Sequence, residues 1–465
     1  MKPHAAADHA IVLGASLGGL LAARVLTDHF ARVTLVERDE LPVAAENRKG
    51  VPQGRHSHAL LARGAEGLER FFPGLTQALA VAGVPSGDIG LSCRFMLGGR
   101  RLQTCTTGLR AVLVSRPLLE HHVRQRVRER AGGLQLLQRH VARRLHFAGS
   151  RVSGVHVAPM GEPESERLLE ADLIVDATGR GSKTPEWLGA NGFPKPEDES
   201  VHVGVSYATR LFRRQPTDAA GDLGIVIAAH PPNTRAGVAI VQEGGRWTVT
   251  LNGYFGERAP LDLNGFIEFA RGLPSPDLYE LIKAAEPLGD GVGANYPASV
   301  RRRFERLRRF PDRYLAFGDA ICSFNPIFGQ GMTVAVLQAE LLEARLSEGL
   351  DRLAPRFFAG ASRVIDGPWS IAVGNDLRFP QAVGARSLGG RLINRYLDHY
   401  VRAAASDPVL SRAFFEVSNL RAPPASLLRP LLACRAFFPA RKGLALGAGA
   451  DSPAALPTSS EKAFQ

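Results

Sequence analysis

The chain has 465 residues, of which 45% are hydrophobic and 22% charged, a balance that is ordinary for a globular enzyme with a large core. The formal net charge is +12, but the arginines are spread along the chain without interleaved aromatic residues, which argues against a nucleic-acid binder. The four cysteines have no metal-type spacing and there is no run of about 18 apolar residues, so neither a disulfide scaffold nor a membrane span is expected.

The chain opens with the pattern of a βαβ unit. Residues 10–13 predict a short strand, residues 18–29 an amphipathic helix, and residues 32–37 a second strand. The first strand runs directly into Gly14–Ala15–Ser16–Leu17–Gly18–Gly19. This order of strand, glycine-rich turn and helix is typical of a nucleotide-binding fold.

The glycine-rich turn has the residues that a dinucleotide site needs. Gly14 can make the tight turn after the strand, and Gly19 allows the helix to pack closely against it. The amides at the helix start, around Gly18, can receive a pyrophosphate, which the helix dipole favours. Ser16 stands at the second glycine of the G-x-G-x-x-G pattern and is small enough for a close approach. Glu37 ends the second strand, where a carboxylate can accept hydrogen bonds from ribose hydroxyls.

The middle of the chain changes from alternating strands and helices to consecutive strands. A helix is predicted from residue 116, with Ser115 as its N-cap, and a strand over 172–177 ends at Thr178–Gly179. Further β-rich runs lie at Val201–Phe212, Ile225–Ala229, Ala236–Gln242 and Trp247–Leu251. These runs predict an antiparallel sheet of the kind that walls a substrate cavity.

A second glycine-rich stretch follows a strand about 300 residues after the first. Asp319 lies at the strand end, where its carboxylate can accept from a cofactor hydroxyl or cap a helix. In the loop 325–332, Gly329 and Gly331 flank Gln330 immediately before a helix over 333–346. Such a loop lets backbone amides approach a ring system, and the helix dipole favours the negative charge of a reduced flavin. The two stretches together indicate one long cofactor such as FAD.

Several segments in chain order then carry a resemblance to a known family. They are GASLGGL with VER, RKGVPQGRHSHALL (48–61), SRPLLE (115–120), VDATGRGS (175–182), SYATRLF (206–212) and GDAICSFNPIFGQGMT (318–333). The chain resembles the FAD-dependent monooxygenases of the aromatic-hydroxylase (p-hydroxybenzoate hydroxylase-like) superfamily. Within that superfamily it most resembles the bacterial enzymes that epoxidise polyenes in polyether antibiotic pathways.

The resemblance implies roles for the matching positions. Gly14, Gly19, Glu37 and Arg38 would hold the ADP half of FAD, and Arg48 and Gln53 would lie in the loop beside the flavin and its ribityl chain. Arg116 would reach the cofactor from a helix start, although Arg48 and Arg116 are alternatively surface cations. Asp319, Gly329, Gly331 and Met332 would hold the ribityl and isoalloxazine half. The complete set of cofactor-binding candidates is Gly14, Ser16, Gly18, Gly19, Glu37, Arg38, Arg48, Gln53, Arg116, Thr178, Gly179, Asp319, Pro326, Gly329, Gln330, Gly331 and Met332.

We therefore predict an α/β fold. It has a Rossmann-type, glutathione-reductase-like FAD-binding domain, an interleaved antiparallel β-sheet substrate domain and a helical C-terminal region. The FAD-binding parts are 8–80, 113–185 and 301–348, and the substrate-domain parts are 81–112 and 186–300. A helical region over 349–442 and a disordered tail over 443–465 complete the chain.

The predicted function is that of an FAD-dependent monooxygenase, which transfers one oxygen atom from O₂ through a flavin C4a-hydroperoxide. The substrate class implied is a lipophilic secondary metabolite in which an alkene is epoxidised or a ring is hydroxylated. The flavin performs the difficult chemistry, so no catalytic residue is named. The alternatives are a flavin-dependent reductase or dehydrogenase on the same scaffold, and a non-redox, cyclase-like flavin-binding protein.

The source of electrons and the partners stay open. Thr178–Gly179 replaces the Asp-Gly pair that many members of the superfamily link to NADPH. Both NAD(P)H and a separate flavin reductase therefore remain as electron sources. An acyl carrier protein is a further possible partner, and no nucleic acid or membrane span is expected. The first nine residues lack the apolar core of a signal peptide, so we expect a cytoplasmic protein.

Three smaller features have simple interpretations. His56 and His58 are two residues apart but have no further metal-type ligands nearby in the sequence, so no metal is predicted. Cys322 is expected to be a buried packing residue. The apolar segment Leu427–Phe438 is expected to be a core-packing helix rather than a membrane contact or a shield for the substrate.

Overall fold

The computed structural model describes residues 8–130 and 133–438, which form strands in four sheets and helices around them. The strands are β1 His9–Leu13, β2 Arg32–Val36, β3 Ser86–Asp88, β4 Cys93–Leu97, β5 Arg100–Arg101, β6 Arg110–Val112, β7 Leu134–Leu137, β8 His140–Ala148, β9 Arg151–Pro159, β10 Arg167–Glu170, β11 Leu173–Asp176, β12 Asp198–Arg213, β13 Gly224–Ile227, β14 Arg235–Gln242, β15 Arg246–Gly253, β16 Val292–Arg302, β17 Tyr314–Ala316 and β18 Cys322–Ser323. The α-helices are α1 Leu17–Leu26, α2 Ala62–Phe71, α3 Leu75–Val81, α4 Ile89–Ser92, α5 Arg116–Arg130, α6 Thr184–Ala190, α7 Leu263–Arg271, α8 Asp277–Ile282, α9 Gly331–Leu346, α10 Leu353–Asp376, α11 Leu388–Ala404, α12 Pro408–Ser418 and α13 Pro430–Phe437.

A five-stranded parallel sheet forms the nucleotide-binding half of the fold. Its strand order is β17-β11-β1-β2-β7, so the two strands that precede the glycine-rich stretches, β1 and β17, are both in it. A three-stranded antiparallel sheet, β10-β9-β8, forms the connection between β7 and β11. The carboxyl ends of β1, β11 and β17 meet at one edge, which is where ligands bind in open α/β sheets.

The first helix differs from its prediction. The helix α1 ends at Leu26 instead of residue 29, and it is buried on nearly every face, including the polar Arg24. It is not amphipathic because it lies between the parallel sheet and the helices α5 and α9, which leaves no solvent face. The strands predicted over 10–13, 32–37 and 172–177 are confirmed to within two residues.

An eight-stranded sheet forms the second half, in the order β18-β16-β12-β15-β14-β13-β4-β5. All four predicted β-rich runs are strands of it, and the pairing is antiparallel except between β13 and β4. One face packs on α7 and α8, with Trp247, Val249 and Leu251 in that core. On the same strands, Val238, Ile240 and Thr250 alternate to the other face and line a cavity.

The predicted fold class is confirmed, and the segment boundaries stay predictions. The strands β4 and β5 come from the segment 81–112 and join the sheet formed mostly by 186–300, as an interleaved domain requires. After α9, the helices α10–α13 confirm a mostly helical C-terminal region. The tail predicted over 443–465 lies outside the described residues.

Two side-chain expectations have different outcomes. Cys322 is buried in the main hydrophobic core, as expected of a packing residue. The segment Leu427–Phe438 is only partly a core helix: Leu427 and Ala436 are buried, but most of its other apolar side chains are exposed. The expectation fails because the segment lies on the outside of the helical region and only one face of it contacts the core.

The arginine run near residue 301 is held within the fold. Arg301 is buried and lies 2.7 Å from Asp366, while Arg302 donates to the carbonyl of Ala320 at 2.8 Å. Arg306 pairs with Glu197 at 2.8 Å. Arg301, Arg302 and Arg306 thus connect β16 and the residues after it to neighbouring elements.

Candidate functional site

One cavity of about 1600 Å³ lies where the parallel sheet, the eight-stranded sheet and the C-terminal helices meet. All of the cofactor-binding candidates line it except Gly19, which lies behind the turn at Gly14. Pockets for one drug-sized ligand usually have about 300–1,000 Å³, so this cavity has room for a dinucleotide and a second molecule. The fold thus brings together residues that are more than 300 positions apart in sequence.

The first glycine-rich stretch makes the turn that the sequence predicts. Gly14 has a φ of +94°, and a Cβ there would lie 2.7 Å from the carbonyl oxygen of Ala177. A Cβ at Gly19 would lie 1.7 Å from the carbonyl oxygen of Gly14. Both positions therefore require glycine, Gly14 for its backbone conformation and Gly19 for the contact of helix with turn.

Two helix starts face the cavity with free amide groups. In α1 the N-cap residue Ser16 makes no side-chain cap, and in α9 Gln330 makes none either. Neither helix has an acidic residue in its first turn. The first amides of a helix have no partner inside it, so both ends carry a partial positive charge. In α1 the amide of Leu17 donates to the Glu120 carboxylate at 3.2 Å, which leaves the next amides of the first turn for a ligand. Such ends suit a pyrophosphate at α1 and a negatively charged ring edge at α9.

The loop before α9 is shaped by a buried asparagine. The Asn325 side chain accepts from the amide of Ile327 at 3.3 Å, and Gly329 follows with a φ of +65°. The Gln330 side chain is buried, and its Oε1 has no hydrogen-bond partner among the described residues. A buried amide oxygen without a donor is costly, so this atom indicates a missing polar partner in the cavity.

A buried charge cluster lies beside the start of α1. The Arg48 guanidinium is 3.0 Å from the Asp39 carboxylate, 3.2 Å from Glu37 and 3.6 Å from Glu120. Glu120 in turn pairs with Arg116 at 2.7 Å. Arg48 and Arg116 are therefore held in a network, and the alternative that they are surface cations is wrong.

The electrostatics of this cluster keep its members charged. Burial opposes the charge of Arg48, but the carboxylates of Glu120, Glu37 and Asp39 raise the pKa of Arg48 above its ordinary value. Burial likewise disfavours the charge of Glu120, but Arg116 and Arg48 hold its pKa below the ordinary value. The Nε and one terminal nitrogen of Arg48 are buried without hydrogen-bond partners among the described residues. The Nε faces the Glu120 carboxylate at 3.6 Å, so the charge of Arg48 is directed at its three carboxylate neighbours.

Glu37 is more engaged with the protein than the sequence suggests. Its carboxylate accepts from the amide of Ala15 at 2.7 Å and from the amide of Asp39 at 3.0 Å. It thereby ties the glycine-rich turn to the end of β2, and it also lines the cavity. A ribose hydroxyl would have to share these carboxylate oxygens with the protein donors.

The Thr178–Gly179 turn is organised by Asp176, which the sequence analysis did not single out. The fully buried Asp176 carboxylate accepts from the amide of Thr178 at 2.9 Å and from the hydroxyls of Ser182 and Thr184, each at 2.6 Å. This fixes the turn at the carboxyl end of β11. Asp176 lies in the VDATGRGS segment, so a strand-end aspartate followed by the hydroxyl side chains of Thr178 and Ser182, and of Thr184 just beyond, was the available signal.

Asp319 faces the cavity from the turn after β17. Burial within the surrounding protein raises the pKa of its carboxyl group, and Arg116 and Arg180 oppose that rise. Its side chain is open to the cavity. That it accepts a hydrogen bond from a cofactor hydroxyl stays a prediction.

The second part of the cavity is apolar. The eight-stranded sheet and the C-terminal helices contribute Phe95, Leu97, Val226, Val238, Ile240, Ile371, Leu397, Val401, Phe414 and Leu427. The helices α10, α11 and α12 thus form one wall of the chamber. The sequence predicted a wall formed by a sheet but not the wall formed by these helices. Apolar periodicity identifies an apolar face of a helix, but it does not show that this face meets the cavity.

A chain of hydroxyl groups lies between the two parts. His56 shares a hydrogen bond of 2.8 Å with Thr209, whose hydroxyl contacts Thr250 at 2.7 Å, and Ser57 contacts the same Thr250 hydroxyl at 2.8 Å. Burial, with a smaller effect of Arg55, lowers the pKa of His56 to about 4. His56 is therefore neutral at neutral pH. Its role is that of a hydrogen-bonding group at the cavity wall.

A buried acid lies behind the same wall. Asp376, at the end of α10, accepts from the Asn325 side chain at 3.0 Å, and its Oδ2 has no partner among the described residues. Burial raises the pKa of Asp376 to about 7, which Asn325 and Tyr254 partly oppose. The Tyr207 hydroxyl donates to Asn325 at 3.1 Å from the cavity side. This set links the loop before α9 to a group that titrates near neutral pH.

No metal or membrane feature accompanies the cavity in residues 8–130 and 133–438. No group of three or more His, Cys, Asp or Glu side chains is placed to hold a metal ion there. In the same part of the chain, the helices are all too short or too polar to cross a membrane.

Comparisons with known proteins agree with this architecture. The chain is 36% identical over 432 residues to Protein Rv3254 of Mycobacterium tuberculosis, which covers 89% of this chain and 90% of that protein. Its fold is similar to that of the flavin-dependent brominase Bmp2, with a TM-score of 0.63, 14% identity and coverage of 89% and 94% of the two chains. It is also similar to p-nitrophenol 4-monooxygenase PnpA from Pseudomonas putida, with a TM-score of 0.61, 16% identity and coverage of 89% and 98%. No protein-family model matches the chain.

Proposed function

We propose that this chain, which belongs to the same family as Protein Rv3254 of Mycobacterium tuberculosis, is an FAD-dependent monooxygenase that adds one oxygen atom from O₂ to a lipophilic small molecule. The observation that carries the proposal is the single cavity that joins both glycine-rich stretches, two uncapped helix starts and an apolar chamber. The shared fold with a brominase and a monooxygenase is consistent with it.

The residues of the first part of the cavity fit FAD. The start of α1 offers donors for a pyrophosphate, while Glu37 and Asp319 offer acceptors for hydroxyl groups. The unpartnered Gln330 Oε1 and the start of α9 suit the polar edge of a flavin ring. When bound, FAD would supply the activation of O₂. The protein's part is to hold the ring beside the apolar chamber and to exclude water from it.

The second part of the cavity supports a large apolar substrate. Its walls come from the sheet and from α10–α12, and one ion pair, Arg378 with Asp398, lies among the apolar residues. The chamber therefore favours a lipophilic molecule whose alkene or ring reaches the flavin end. Together with the resemblance of the sequence motifs, this supports epoxidation of a polyene-like substrate in a secondary-metabolite pathway.

The proposal is tested with the purified full-length protein. The bound cofactor is released by heating and identified by chromatography, and FAD is expected. The holoenzyme is then supplied with a chemical reductant, isotopically labelled O₂ and a panel of linear polyenes and phenols. We expect one labelled oxygen atom in the product. Product formation under strict anaerobiosis would instead support the reductase or dehydrogenase alternative, and product formation with oxidised, never-reduced flavin would support the non-redox, cyclase-like one.

The proposal also includes the donor that reduces the flavin in this cavity. Thr178–Gly179 lies at the cavity where many superfamily members have Asp-Gly, which supports reduction by a separate flavin reductase over direct reduction by NADPH. Anaerobic mixing of the holoenzyme with NADPH distinguishes the two, because bleaching of the flavin absorbance within a turnover time identifies NADPH as the direct donor. A cytoplasmic location would give access to either source. Whether an acyl carrier protein delivers the substrate is tested by offering free and carrier-bound forms.

A further inference from the structure

A group of exposed apolar side chains surrounds one opening of the cavity. The described residues expose fourteen large apolar side chains to solvent, and seven of them lie on α11, on α13 or beside these helices. They are Leu388, Leu392, Ile393, Leu428, Leu431, Phe437 and Phe438, which we call the rim surface. Leu392 and Leu431 are each 70% exposed and Phe438 is 80% exposed. Such clustering marks an interaction site, since scattered single apolar residues are the norm on protein surfaces.

The rim surface is continuous between the two helices. The Phe437 ring lies 5.3 Å from the ring of His399 and 5.9 Å from that of Tyr396, so α13 packs directly on α11. Along α11, Leu388 and Leu392 are four residues apart and lie on one face. Both helices therefore present apolar side chains to the same side of the molecule.

Positive charge accompanies the apolar side chains. Between residues 386 and 438 the chain has eight arginines and three acidic residues. Two of those acids already form ion pairs, Asp398 with Arg378 and Asp407 with Arg435, the latter at 2.8 Å. The arginines on the rim surface, Arg391, Arg395 and Arg429, are exposed and have no ion pair within the described part of the chain.

The same surface forms part of the cavity opening. Ile393 and Leu428 line the cavity and are also about half exposed to solvent. An apolar molecule that leaves a lipid phase beside these two side chains would enter the chamber without crossing bulk water. Access to the chamber and the exposed apolar residues therefore coincide.

We propose that the rim surface docks on the surface of a membrane that contains anionic lipids. Helices with exposed Leu and Phe beside Arg lie in the interfacial region of such membranes, with the apolar side chains inserted and the guanidinium groups at the lipid phosphates. A membrane suits the rim surface better than an acidic protein because Leu392, Leu431 and Phe438 are largely exposed apolar side chains that a lipid phase can bury. The absence of a spanning helix in the described residues is compatible with docking on one leaflet.

The proposal is tested by sedimentation of the full-length protein with vesicles. One set of vesicles contains phosphatidylcholine alone, and the other contains phosphatidylcholine with phosphatidylglycerol. We expect binding to the anionic vesicles that weakens at high salt. Replacement of Arg391, Arg395 and Arg429 by glutamine should weaken that binding on the order of a hundredfold. The matched control replaces the exposed arginines Arg167, Arg258 and Arg308 by glutamine and should bind like the natural protein.

The apolar contribution is tested separately. Leu392→Asn with Leu431→Asn should weaken binding to the anionic vesicles by at least about tenfold, because each leucine loses its transfer into the lipid. The control, Val43→Asn with Val81→Asn, removes equally exposed apolar side chains elsewhere and should have no effect. All variants are first shown to keep the FAD content and melting temperature of the natural protein.

Two results would overturn the proposal. One is that the natural protein does not sediment with anionic vesicles, or that the rim variants bind as well as their controls. The other is that the natural protein is a dimer by analytical ultracentrifugation and the leucine variant a monomer, which would identify a second copy as the occupant. Vesicle binding needs no turnover, so the test stands whether or not the monooxygenase assignment is correct.

Discussion

The backbone amide of Leu17, in the first turn of α1, donates a hydrogen bond of 3.2 Å to the carboxylate of Glu120 on α5. Glu120 also pairs with Arg116 and lies 3.6 Å from Arg48, so one buried carboxylate joins the helix start to both arginines of the cavity. Arg116, Leu17 and Arg48 come from three different segments. Glu120 contacts all three, while Arg48 is also held by Asp39 and Glu37.

Removal of the Glu120 charge should destabilise the protein. Glu120→Gln keeps an acceptor for the Leu17 amide. It leaves the buried positive charge of Arg116, and part of that of Arg48, without a neutralising carboxylate. Breaking a buried ion pair in this way costs about 3 kcal/mol or more. The measurement is urea unfolding at about pH 7, with Glu129→Gln, an exposed position on the same helix, as the control that should change little.

The effect of Glu120 should also depend on pH. The folded-state pKa of Glu120 is below that of the unfolded chain, about 4.3, so its contribution is complete above that pH and is lost as pH falls through the folded-state pKa. The difference in unfolding free energy between natural protein and Glu120→Gln should therefore shrink below about pH 4. A difference that does not shrink as the pH falls further below that value would contradict the assigned role of the charge.

Adjacent glycines of α1 should respond very differently to alanine. At Gly19 a Cβ would meet the Gly14 carbonyl oxygen at 1.7 Å, which only a shift of the backbone can relieve. At Gly18 the nearest atoms to a Cβ are side-chain carbons of Phe317 at 3.9 Å, an ordinary contact. Gly19→Ala should therefore lower the melting temperature by more than about 4 °C and yield protein with little FAD. Gly18→Ala should be neutral or stabilising by up to about 1 kcal/mol.

The absorbance of bound flavin and the melting temperature check this pair of variants. Equal FAD content in Gly18→Ala and Gly19→Ala would show that the turn at Gly14 does not hold the cofactor. Loss of FAD in Gly18→Ala alone would show that the cofactor approaches Gly18 too closely to admit a Cβ.

The sequence predicted the parts of this site that depend on local patterns. The strands before Gly14 and Asp319, and the requirement for glycine at positions 14 and 19, follow from short-range rules of turns and helix starts. The roles of Glu120 and Asp376 do not follow from such rules, because their contacts join residues 103 and 51 positions apart. A sequence pattern gives no sign of which polar residue will be buried beside another.

The errors have a similar origin in tertiary packing. Residues 18–29 read as an amphipathic helix, but α1 is enclosed by a sheet and two helices, so its polar Arg24 is buried and donates to the carbonyl of Phe71. The segment Leu427–Phe438 read as a core helix, yet its apolar side chains are divided between the core and the solvent. Hydrophobicity alone does not specify what covers an apolar face.

Asp376 should make the stability of the protein fall as pH rises. The unfolded carboxyl group ionises near pH 3.9, whereas burial raises its pKa to about 7 in the folded state. Between these values the folded protein holds a proton that the unfolded chain has lost, so the free energy of unfolding decreases with pH and then levels above about pH 7. Asp376→Asn cannot ionise and should not show this decrease.

The measurement compares unfolding free energies of the two proteins from about pH 5 to about pH 8. The control is Asp351→Asn, an exposed position that should follow the natural protein. If the unfolding free energies of the natural protein and Asp376→Asn depend on pH in the same way, Asp376 is ionised throughout that range. A change in the flavin absorbance spectrum with the same midpoint would show that the titration reaches the loop before α9 through Asn325.

Filling the apolar chamber should weaken substrate binding without loss of FAD. Val401 lies on α11 and lines the cavity, away from the residues proposed to hold the cofactor. Val401→Phe adds volume where the lipophilic substrate is expected, and a change of this size in an apolar pocket costs about tenfold in affinity. The probe is the fluorescent polyene cis-parinaric acid, whose emission rises on entering an apolar site. Val409→Phe, on the exposed start of α12, should leave both the probe affinity and the FAD content unchanged. If Val401→Phe instead lowers FAD content and leaves probe binding intact, the division of the cavity into a cofactor part and a substrate part is wrong.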